Sequence, residues 1–281
     1  MAGRLISRPL GVWPIGDAFV IVRSTYRAAW QAITSNPAYL LFAFLLFLDS
    51  SISVAIESSW RSPAVDCLWG PVSLVVSLGA QLGIVQLALA GNSHLRLTFG
   101  QAVRGAKTFF GNGLVGAFIA GALALVLLGC GILTFRLGGF PTVPPVIVLI
   151  GRLVAMPLFA AVITFTFAGI IAYRLNPLQA VWNALLVASN NPLATLLMTA
   201  PFALVRLALD VLILSAFHTA TGAMLAKVAS NLGTLFAPVP RIIAGSAYAL
   251  IALFEMSVVA IAYLVLIARH QYPWTNPESD T

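Results

Sequence analysis

Residues 27–48 read RAAWQAITSNPAYLLFAFLLFL: a basic and aromatic segment, then Asn36-Pro37, then an apolar run from Tyr39 to Leu48. A residue that precedes proline is pushed out of the helical region, so the first helix is predicted to end at Asn36. The apolar run begins a second helix, placed at 37–57, because a membrane-crossing helix needs about 20 predominantly apolar residues. This stretch predicts a surface helix that turns into a membrane-spanning one.

Five further segments have the length and apolar character of spanning helices. They lie at about 68–90, 112–134, 145–173, 192–216 and 241–268. Pro157 and Pro201 are kink sites within the fourth and fifth spans of the chain. Lipid offers no water to pair with backbone groups, so long apolar runs of this kind must be helical. The predicted fold is all-α: a polytopic membrane protein of six transmembrane helices plus amphipathic interfacial helices.

The composition excludes other classes of protein. The 281 residues are 60% apolar and only 8% charged, with a mean hydropathy of +0.99. A soluble domain carries roughly a quarter charged residues, so this chain does not read as a cytosolic enzyme or a disordered protein. Its net charge of +7 comes from basic residues scattered between apolar spans. The expected partner is therefore the lipid bilayer with its anionic headgroups, and not nucleic acid.

Basic residues also predict the orientation. With both termini in the cytoplasm, the inner segments carry nine of them: Arg4, Arg8, Arg23, Arg27, Arg96, Arg104, Lys107, Arg174 and Arg269. The outer segments carry four: Arg61, Arg136, Lys227 and Arg241. The positive-inside rule favours this orientation for a multi-pass protein. The membrane in which we expect the chain is the bacterial cytoplasmic membrane. Four tryptophans near the predicted boundaries are expected interfacial anchors: Trp30, Trp60, Trp69 and Trp182.

The segments before spans one, three and five resemble one another. Ala32, Ala106 and Ala184 align, and the first and third copies share a Trp and an Asn-Pro pair. One interpretation is a threefold tandem repeat of surface helix plus transmembrane hairpin, with units at about 14–90, 97–173 and 176–268. The other is coincidence among Ala-rich and Leu-rich helices. Residues 1–268 are predicted to form a single membrane domain, and residues 269–281 are predicted to form a polar cytoplasmic tail.

The middle copy contains Gly111-Asn112-Gly113-Leu114-Val115-Gly116, which matches the G-x-G-x-x-G pattern. A dinucleotide site needs a strand before this pattern and a soluble βαβ unit around it. Neither is expected here, so the pattern is predicted to be a flexible turn between a surface helix and the third span.

The repeated order of an amphipathic helix, an Asn-Pro pair and an apolar hairpin resembles the organisation of a broad group of uncharacterised bacterial six-helix membrane proteins. The organisation is also similar to the membrane domain that accompanies some glycerophosphodiester phosphodiesterases. The resemblance covers about 20–268 and implies a helical membrane module. It implies no hydrolase, because the soluble catalytic domain is missing from the sequence and no catalytic residue can be carried over.

Five ionisable residues lie well inside predicted spans: Asp49, Arg152, Arg206, Asp210 and Glu255. Intramembrane charges usually face a bundle interior and pair. Arg206 and Asp210 stand four residues apart on one helix face, Asp49 and Arg152 lie at similar depth, and Glu255 has no partner on its own helix. These residues form a candidate polar network. It either locks the helices in register or relays protons or ions through Glu255. In a third interpretation, Glu255 faces a partner subunit.

Small residues and cysteines give weaker signals. Gly79 and Gly83 permit close helix contact in span two, and internal packing is favoured over dimerisation. Cys67 and Cys130 both fall on the predicted outer side, where they either pair or pack as small apolar groups. No pattern of catalytic, cofactor-binding or metal-ligating residues stands out, so we expect no enzyme, cofactor or metal site.

Two functions remain from the sequence. The first is a non-enzymatic membrane protein that acts as a scaffold, an assembly factor or an accessory subunit, in contact with other membrane subunits. The alternative is a small transporter or channel for an ion, a lipid or an apolar solute that uses the intramembrane charges.

Overall fold

A computed structural model describes residues 15–59, 63–137, 151–218 and 239–270. The regular secondary structure of these residues is helical, and no strand occurs among them. The elements are α1 (Ile15–Ser35), α2 (Ala38–Ser59), α3 (Pro63–Asn92), α4 (Phe99–Leu137), a π-helical turn (Gly151–Ala155), α5 (Met156–Tyr173), α6 (Pro177–Asn190), α7 (Pro192–His218) and α8 (Val239–His270). The predicted all-α class is confirmed.

Within the described ranges, five helices are long and apolar enough to cross a membrane. They lie within α3, α4, α5, α7 and α8, at Cys67–Asn92, Phe99–Gly131, Leu153–Tyr173, Pro192–Leu209 and Gly245–Ala268. The bent pair formed by Ala18–Ser35 and Ala38–Ser53 brings the number to six if it counts as one span. The described residues therefore form a helical protein of the membrane type.

The predicted break at Asn36-Pro37 is present as a 92° bend between α1 and α2. The Asn36 side chain holds the corner: its Oδ1 accepts from the backbone N–H of Ala38 at 3.0 Å, and its Nδ2 donates to the Leu97 carbonyl at 2.9 Å. Leu97 lies in the connection between α3 and α4. One amide thus fixes the α1–α2 corner and ties it to the next connection.

The predicted turn at Gly111–Gly116 is wrong. Helix α4 runs for 39 residues through this segment, so the amphipathic second copy and the third span are one helix. The physical reason lies at Asn112, which is followed by Gly113 and not by proline. Glycine costs a helix interior only about 1 kcal/mol and keeps its N–H, whereas proline removes the hydrogen bond and clashes with the preceding turn.

The fourth predicted span is described from Gly151 onward, and its residues 145–150 lie outside the described ranges. Its first turn is π-helical and leads directly into Pro157 near the start of α5. Pro157 has no N–H to donate to the preceding turn, and a wider turn accommodates its ring. The irregularity therefore lies where the kink site was predicted.

Helix α8 is central. It packs against α1, α2, α3, α5, α6 and α7, whereas α4 packs mainly against α3, α5 and α6. The connector side of the bundle is the side that carries the α1–α2 corner, the α3–α4 connection and α6; the opposite side is the far side. These names are used below for the two halves of the spanning helices.

Burial is concentrated on the connector side. In α2 the buried apolar residues lie between Ala38 and Ala43, in α3 between Leu78 and Leu89, and in α7 between Ala194 and Phe202. Toward the far side, the described side chains of α3 residues 67–77 and α4 residues 121–134 are exposed or half-buried. Among the described residues, the helices are closely packed at one end and more loosely packed at the other.

Helix α1 contacts the bundle through small residues. Its buried stripe follows helical spacing and consists of Ala18, Ile21, Thr25, Ala29 and Ala32. The larger aromatic side chains of α1 divide: Tyr26 is half-buried, while Phe19 and Trp30 stay exposed. Small side chains let α1 approach α3 and α8 closely, and the aromatic groups at its edge remain on the surface.

Candidate functional site: an intramembrane ion pair

The site is formed by one charge on each of two neighbouring helices. Arg206 on α7 donates from Nη2 to Oε2 of Glu255 on α8, and the two atoms are 2.5 Å apart. The Glu255 side chain is 7% exposed and the Arg206 side chain is 37% exposed. The carboxylate is therefore enclosed, while the Arg206 side chain stays partly accessible. The pair is neutral as a unit.

Local sequence explains why Arg206 points toward α8. The buried polar residues Thr195 and Thr199 and the buried Phe202 follow one another at helical spacing on α7, and Arg206 continues this stripe by one more turn. The opposite face of α7 carries the exposed Leu204. Arg206 thus lies on the bundle-facing stripe of its helix, and its exposure arises where the tight packing of that stripe ends.

An aromatic cluster lies beside the pair on the connector side. It consists of Tyr26, Trp30, Phe202 and Phe254. The Tyr26 and Phe202 rings are stacked with centroids 5.7 Å apart, the Trp30 and Phe254 centroids are 5.8 Å apart, and those of Phe202 and Phe254 are 6.1 Å apart. Phe254 precedes Glu255 in α8, and Phe202 lies one turn before Arg206 in α7. Because α7 starts at the connector side, Phe202 and the Tyr26 ring stacked on it cover that side of Arg206, whereas Phe254 is the chain neighbour of Glu255.

Tyr26 also joins α1 to α7 by a hydrogen bond. Its hydroxyl donates to the Met198 carbonyl at 2.9 Å. Met198 lies three residues before Pro201, in the turn where the proline ring disturbs the helical hydrogen-bond ladder. A side-chain donor from another helix thus satisfies a carbonyl in the disturbed turn, and α1 is fixed against the site.

A second buried polar contact lies nearer the connector end. Asn183 on α6 donates from Nδ2 to the Tyr263 hydroxyl of α8 at 3.3 Å. The Tyr263 ring packs against Phe165 of α5, with centroids 5.4 Å apart. Asn183 and Tyr263 are completely buried. This contact holds α6 onto the core, and the ion pair lies closer to the far side than this contact does.

The other predicted network residues are not brought to this site by any described contact. Asp49 lies in α2, and its buried Oδ1 accepts no hydrogen bond from the residues that the structure describes. Arg152 lies in the π-helical turn and Asp210 in α7, but both side chains fall outside the described ones. The predicted Arg206–Asp210 and Asp49–Arg152 pairs therefore stay predictions.

The four predicted anchors and the two cysteines are placed as follows. Trp30 and Trp182 are 59% and 56% exposed, while Trp69 is half-buried and donates from Nε1 to the Ser53 hydroxyl at 2.9 Å. Trp60 lies outside the described residues. Cys67 and Cys130 are both free and exposed, so they neither pair nor pack in the core.

Sequence reasoning missed the partner of Glu255. Spacing within one helix favoured Asp210 for Arg206, whereas the described partner comes from the next spanning helix. The signal available was depth: Arg206 and Glu255 each lie near the middle of a predicted span. Tyr26 was also missed as a contact of α7, because its role depends on how α1 crosses the bundle.

Comparison of the chain with models of known protein families, with curated proteins and with solved structures finds no match. Among the described residues, no group of three or more His, Cys, Asp or Glu side chains is placed to hold a metal ion. The chemistry that the described site offers is that of a guanidinium and a carboxylate enclosed by apolar and aromatic side chains.

Proposed function

We propose that the chain is a non-enzymatic integral membrane protein that acts as a scaffold, an assembly factor or an accessory subunit. The observation that supports this best is the Arg206–Glu255 pair. A charged residue in the middle of a membrane is costly unless it is paired, and this pair joins α7 to α8 in the bundle. The two charges thus hold α7 and α8 together, as expected for a structural role.

The exposed surface of α4 supports contact with other membrane subunits. Its far half exposes Leu125, Val126 and Leu127, each more than half accessible, and the cysteine Cys130. Lipid tails or apolar helices of a partner can cover such a surface. The proposal is that a partner helix lies along α4 in the assembled complex.

In the proposed topology the chain crosses a bacterial cytoplasmic membrane six times, with both termini in the cytoplasm. The connector side is then the cytoplasmic side, and Arg23 and Arg27, both exposed on α1, lie at its anionic headgroups. Trp30 and Trp182 are exposed on the same side and act as interfacial anchors. The proposed resemblance to bacterial six-helix membrane proteins agrees with this arrangement.

The threefold repeat is proposed on a shared burial pattern. Ala32, Ala106 and Ala184, which align in the sequence, are all buried. The second and third copies also begin alike, because Thr98 and Asn176 cap their helices through residues three positions later. The copies differ at their ends, where Asn-Pro breaks the first and third and α4 continues unbroken.

The test of the accessory role is isolation of the protein from its native membrane in mild detergent after chemical cross-linking. We expect the wild-type chain to co-purify with a defined membrane subunit whose amount falls when the chain is deleted. A bulky substitution on the exposed face, Val126→Trp, should reduce that co-purification, while Val20→Trp on exposed α1 should not. A chain that stays alone in all these preparations would contradict the proposal.

The structural role of the ion pair is tested by stability. Arg206→Gln or Glu255→Gln alone should lower the free energy of unfolding by roughly 2–3 kcal/mol, since each leaves one charge without its partner and Arg206 keeps some exposure. The exchanged double variant Arg206→Glu/Glu255→Arg should recover part of that loss. Thermal unfolding in detergent measures both effects, and full stability of the single variants would contradict this role.

The alternative function, a small transporter or channel, is favoured by a different observation. Arg206 is partly exposed on the bundle-facing stripe, and the neighbouring helices contain a π-helical turn and Pro201. Irregular helices of this kind are common at sites that move. Solute flux by the reconstituted protein, abolished by Glu255→Gln, would support this function; proteoliposomes without any such flux would contradict it.

A further inference from the structure

Arg206 offers binding capacity that its described partner does not use. A guanidinium has five N–H donors, and the hydrogen bond to Glu255 uses one of them. The side chain is 37% exposed although it continues the buried stripe that ends at Phe202. Donors of Arg206 therefore remain accessible, at the level of α7 where close packing ends.

The surroundings limit what can bind there. Residues 203–209 of α7 are apolar apart from Arg206, and residues 249–254 of α8 are all apolar. On the connector side the stacked rings of Tyr26 and Phe202 lie next to the pair, and the Phe254 ring contacts Phe202. A ligand would therefore reach Arg206 from the far side, with its apolar part along apolar helix surfaces.

Charge balance selects the chemical class. Without a ligand, the Arg206–Glu255 pair has no net charge, and a mid-membrane site that gained a net charge would be destabilised. A ligand keeps the site neutral if it delivers an anion together with a proton. A monocarboxylic acid does so, whereas a phosphate monoester carries close to two negative charges at neutral pH and leaves the site negative.

We propose that Arg206 and Glu255 form a binding site for a long-chain carboxylic acid, with proton uptake by Glu255. The ligand carboxylate binds the Arg206 guanidinium, the Arg206–Glu255 hydrogen bond opens, and a proton is added to Oε2 of Glu255. When the ligand arrives as an anion, that proton comes from water. No electron is transferred, and the site has the same net charge before and after binding.

The charged and titratable groups around Glu255 fit this exchange. Arg206 of α7 donates to its carboxylate and Tyr26 of α1 lies beside the pair, while Asp210, one turn after Arg206, has a side chain outside the described ones. The Tyr26 hydroxyl already donates to the Met198 carbonyl. The positive charge of Arg206 opposes protonation of Glu255 while the two are paired, so an incoming carboxylate that competes for Arg206 favours protonation of Glu255. This inference goes beyond the accessory role and does not depend on it.

Binding is tested with radiolabelled oleate on the full chain purified in detergent, with oleyl alcohol and oleyl phosphate as competitors. We expect saturable binding of oleate, displaced by oleate more strongly than by either competitor. The double variant Arg206→Gln/Glu255→Gln keeps a neutral polar pair and should bind oleate about ten-fold or more weakly, since a charge-assisted hydrogen bond is lost. The matched control Arg23→Gln removes an exposed arginine of α1 and should bind like the wild type.

Proton uptake is the second measurement. Calorimetry in buffers of different ionisation enthalpy should give uptake of one proton per oleate bound by the wild type and none for Glu255→Gln. Equal oleate binding by the double variant would overturn the proposal, as would proton uptake that persists in Glu255→Gln or binding that never saturates. Stability or partner capture by the same variants tests the accessory role independently, so failure of one leaves the other standing.

Discussion

At Gly83, a single added carbon atom would disturb the packing of the helix bundle. A Cβ added at Gly83 of α3 would overlap the ring of Phe42 of α2, whereas a Cβ at Gly79, one turn earlier, would meet nothing within 4 Å. The predicted close contact of the two glycines is thus internal packing at one of them. Phe42 is almost completely buried and has little room to move away.

We therefore expect Gly83→Ala to destabilise the protein by about 1–3 kcal/mol, the usual effect of overpacking a core. Gly79→Ala is the matched control and should be neutral or slightly stabilising, because alanine favours the helix. Thermal unfolding of both variants in the same detergent gives the comparison. Equal effects at the two positions would show that helix propensity, and not contact with Phe42, governs the outcome.

Tyr26 allows a hydrogen bond to be separated from ring packing. Tyr26→Phe removes the bond to the Met198 carbonyl and keeps the stack on Phe202, so a loss of about 1 kcal/mol in stability is expected. Tyr26→Ala removes both and should cost more. Hydrogen exchange of the amides around Pro201 provides a local readout, and an unchanged exchange rate in Tyr26→Phe would argue against the bond.

At the scale of the element, helix ends are where sequence reasoning succeeded and failed. The Asn36-Pro37 break was predictable because proline acts on the residue just before it. The unbroken α4 was not, because two glycines and an asparagine permit both a turn and a helix, and packing against α3 and α5 settles the choice. The wider turn before Pro157 was predictable in position but not in type.

Helix α4 begins with a capping box that can be tested. The Thr98 hydroxyl accepts from the backbone N–H of Gln101, and the Gln101 side chain accepts from the backbone N–H of Thr98. Thr98→Ala should lower stability by about 1 kcal/mol. Thr108→Ala, also exposed on α4, removes only a bond to the Arg104 carbonyl within the helix and should have a smaller effect. A similar loss in both variants would contradict a role for the cap.

At the scale of the whole molecule, the apolar helices of the described residues, five or six with the bent pair, were predictable because each carries its own signal over some 20 residues. The ion pair did not follow, since Arg206 and Glu255 meet only through the contact of α7 with α8. The sequence also did not predict that burial is concentrated on the connector side, because the far halves of α3 and α4 are as apolar as the buried halves.

The native cysteines report the orientation of the whole molecule. Cys67 lies near the start of α3 on the far side, and Cys130 lies seven residues before the end of α4. Both are exposed. With both termini in the cytoplasm, a membrane-impermeant maleimide should label Cys67 from outside intact cells, whereas Cys130, covered by lipid, should react much less.

Cys67→Ser should abolish most of this labelling and Cys130→Ser should leave it. Labelling of Cys67 only after the membrane is opened would place the far side in the cytoplasm. A reporter fused after Thr281 gives an independent answer, because the proposed orientation requires it to be cytoplasmic.

The unbroken length of α4 has a consequence for the membrane in which the protein resides. Thirty-nine helical residues measure about 58 Å at 1.5 Å per residue, while a bilayer with its headgroups is about 40–45 Å thick. The helix must therefore tilt, extend beyond the surface or thicken the lipid around it. Because α4 has no break at which to adjust and packs against α3 and α5, it tilts together with the bundle, and thicker membranes should accommodate the protein with less distortion.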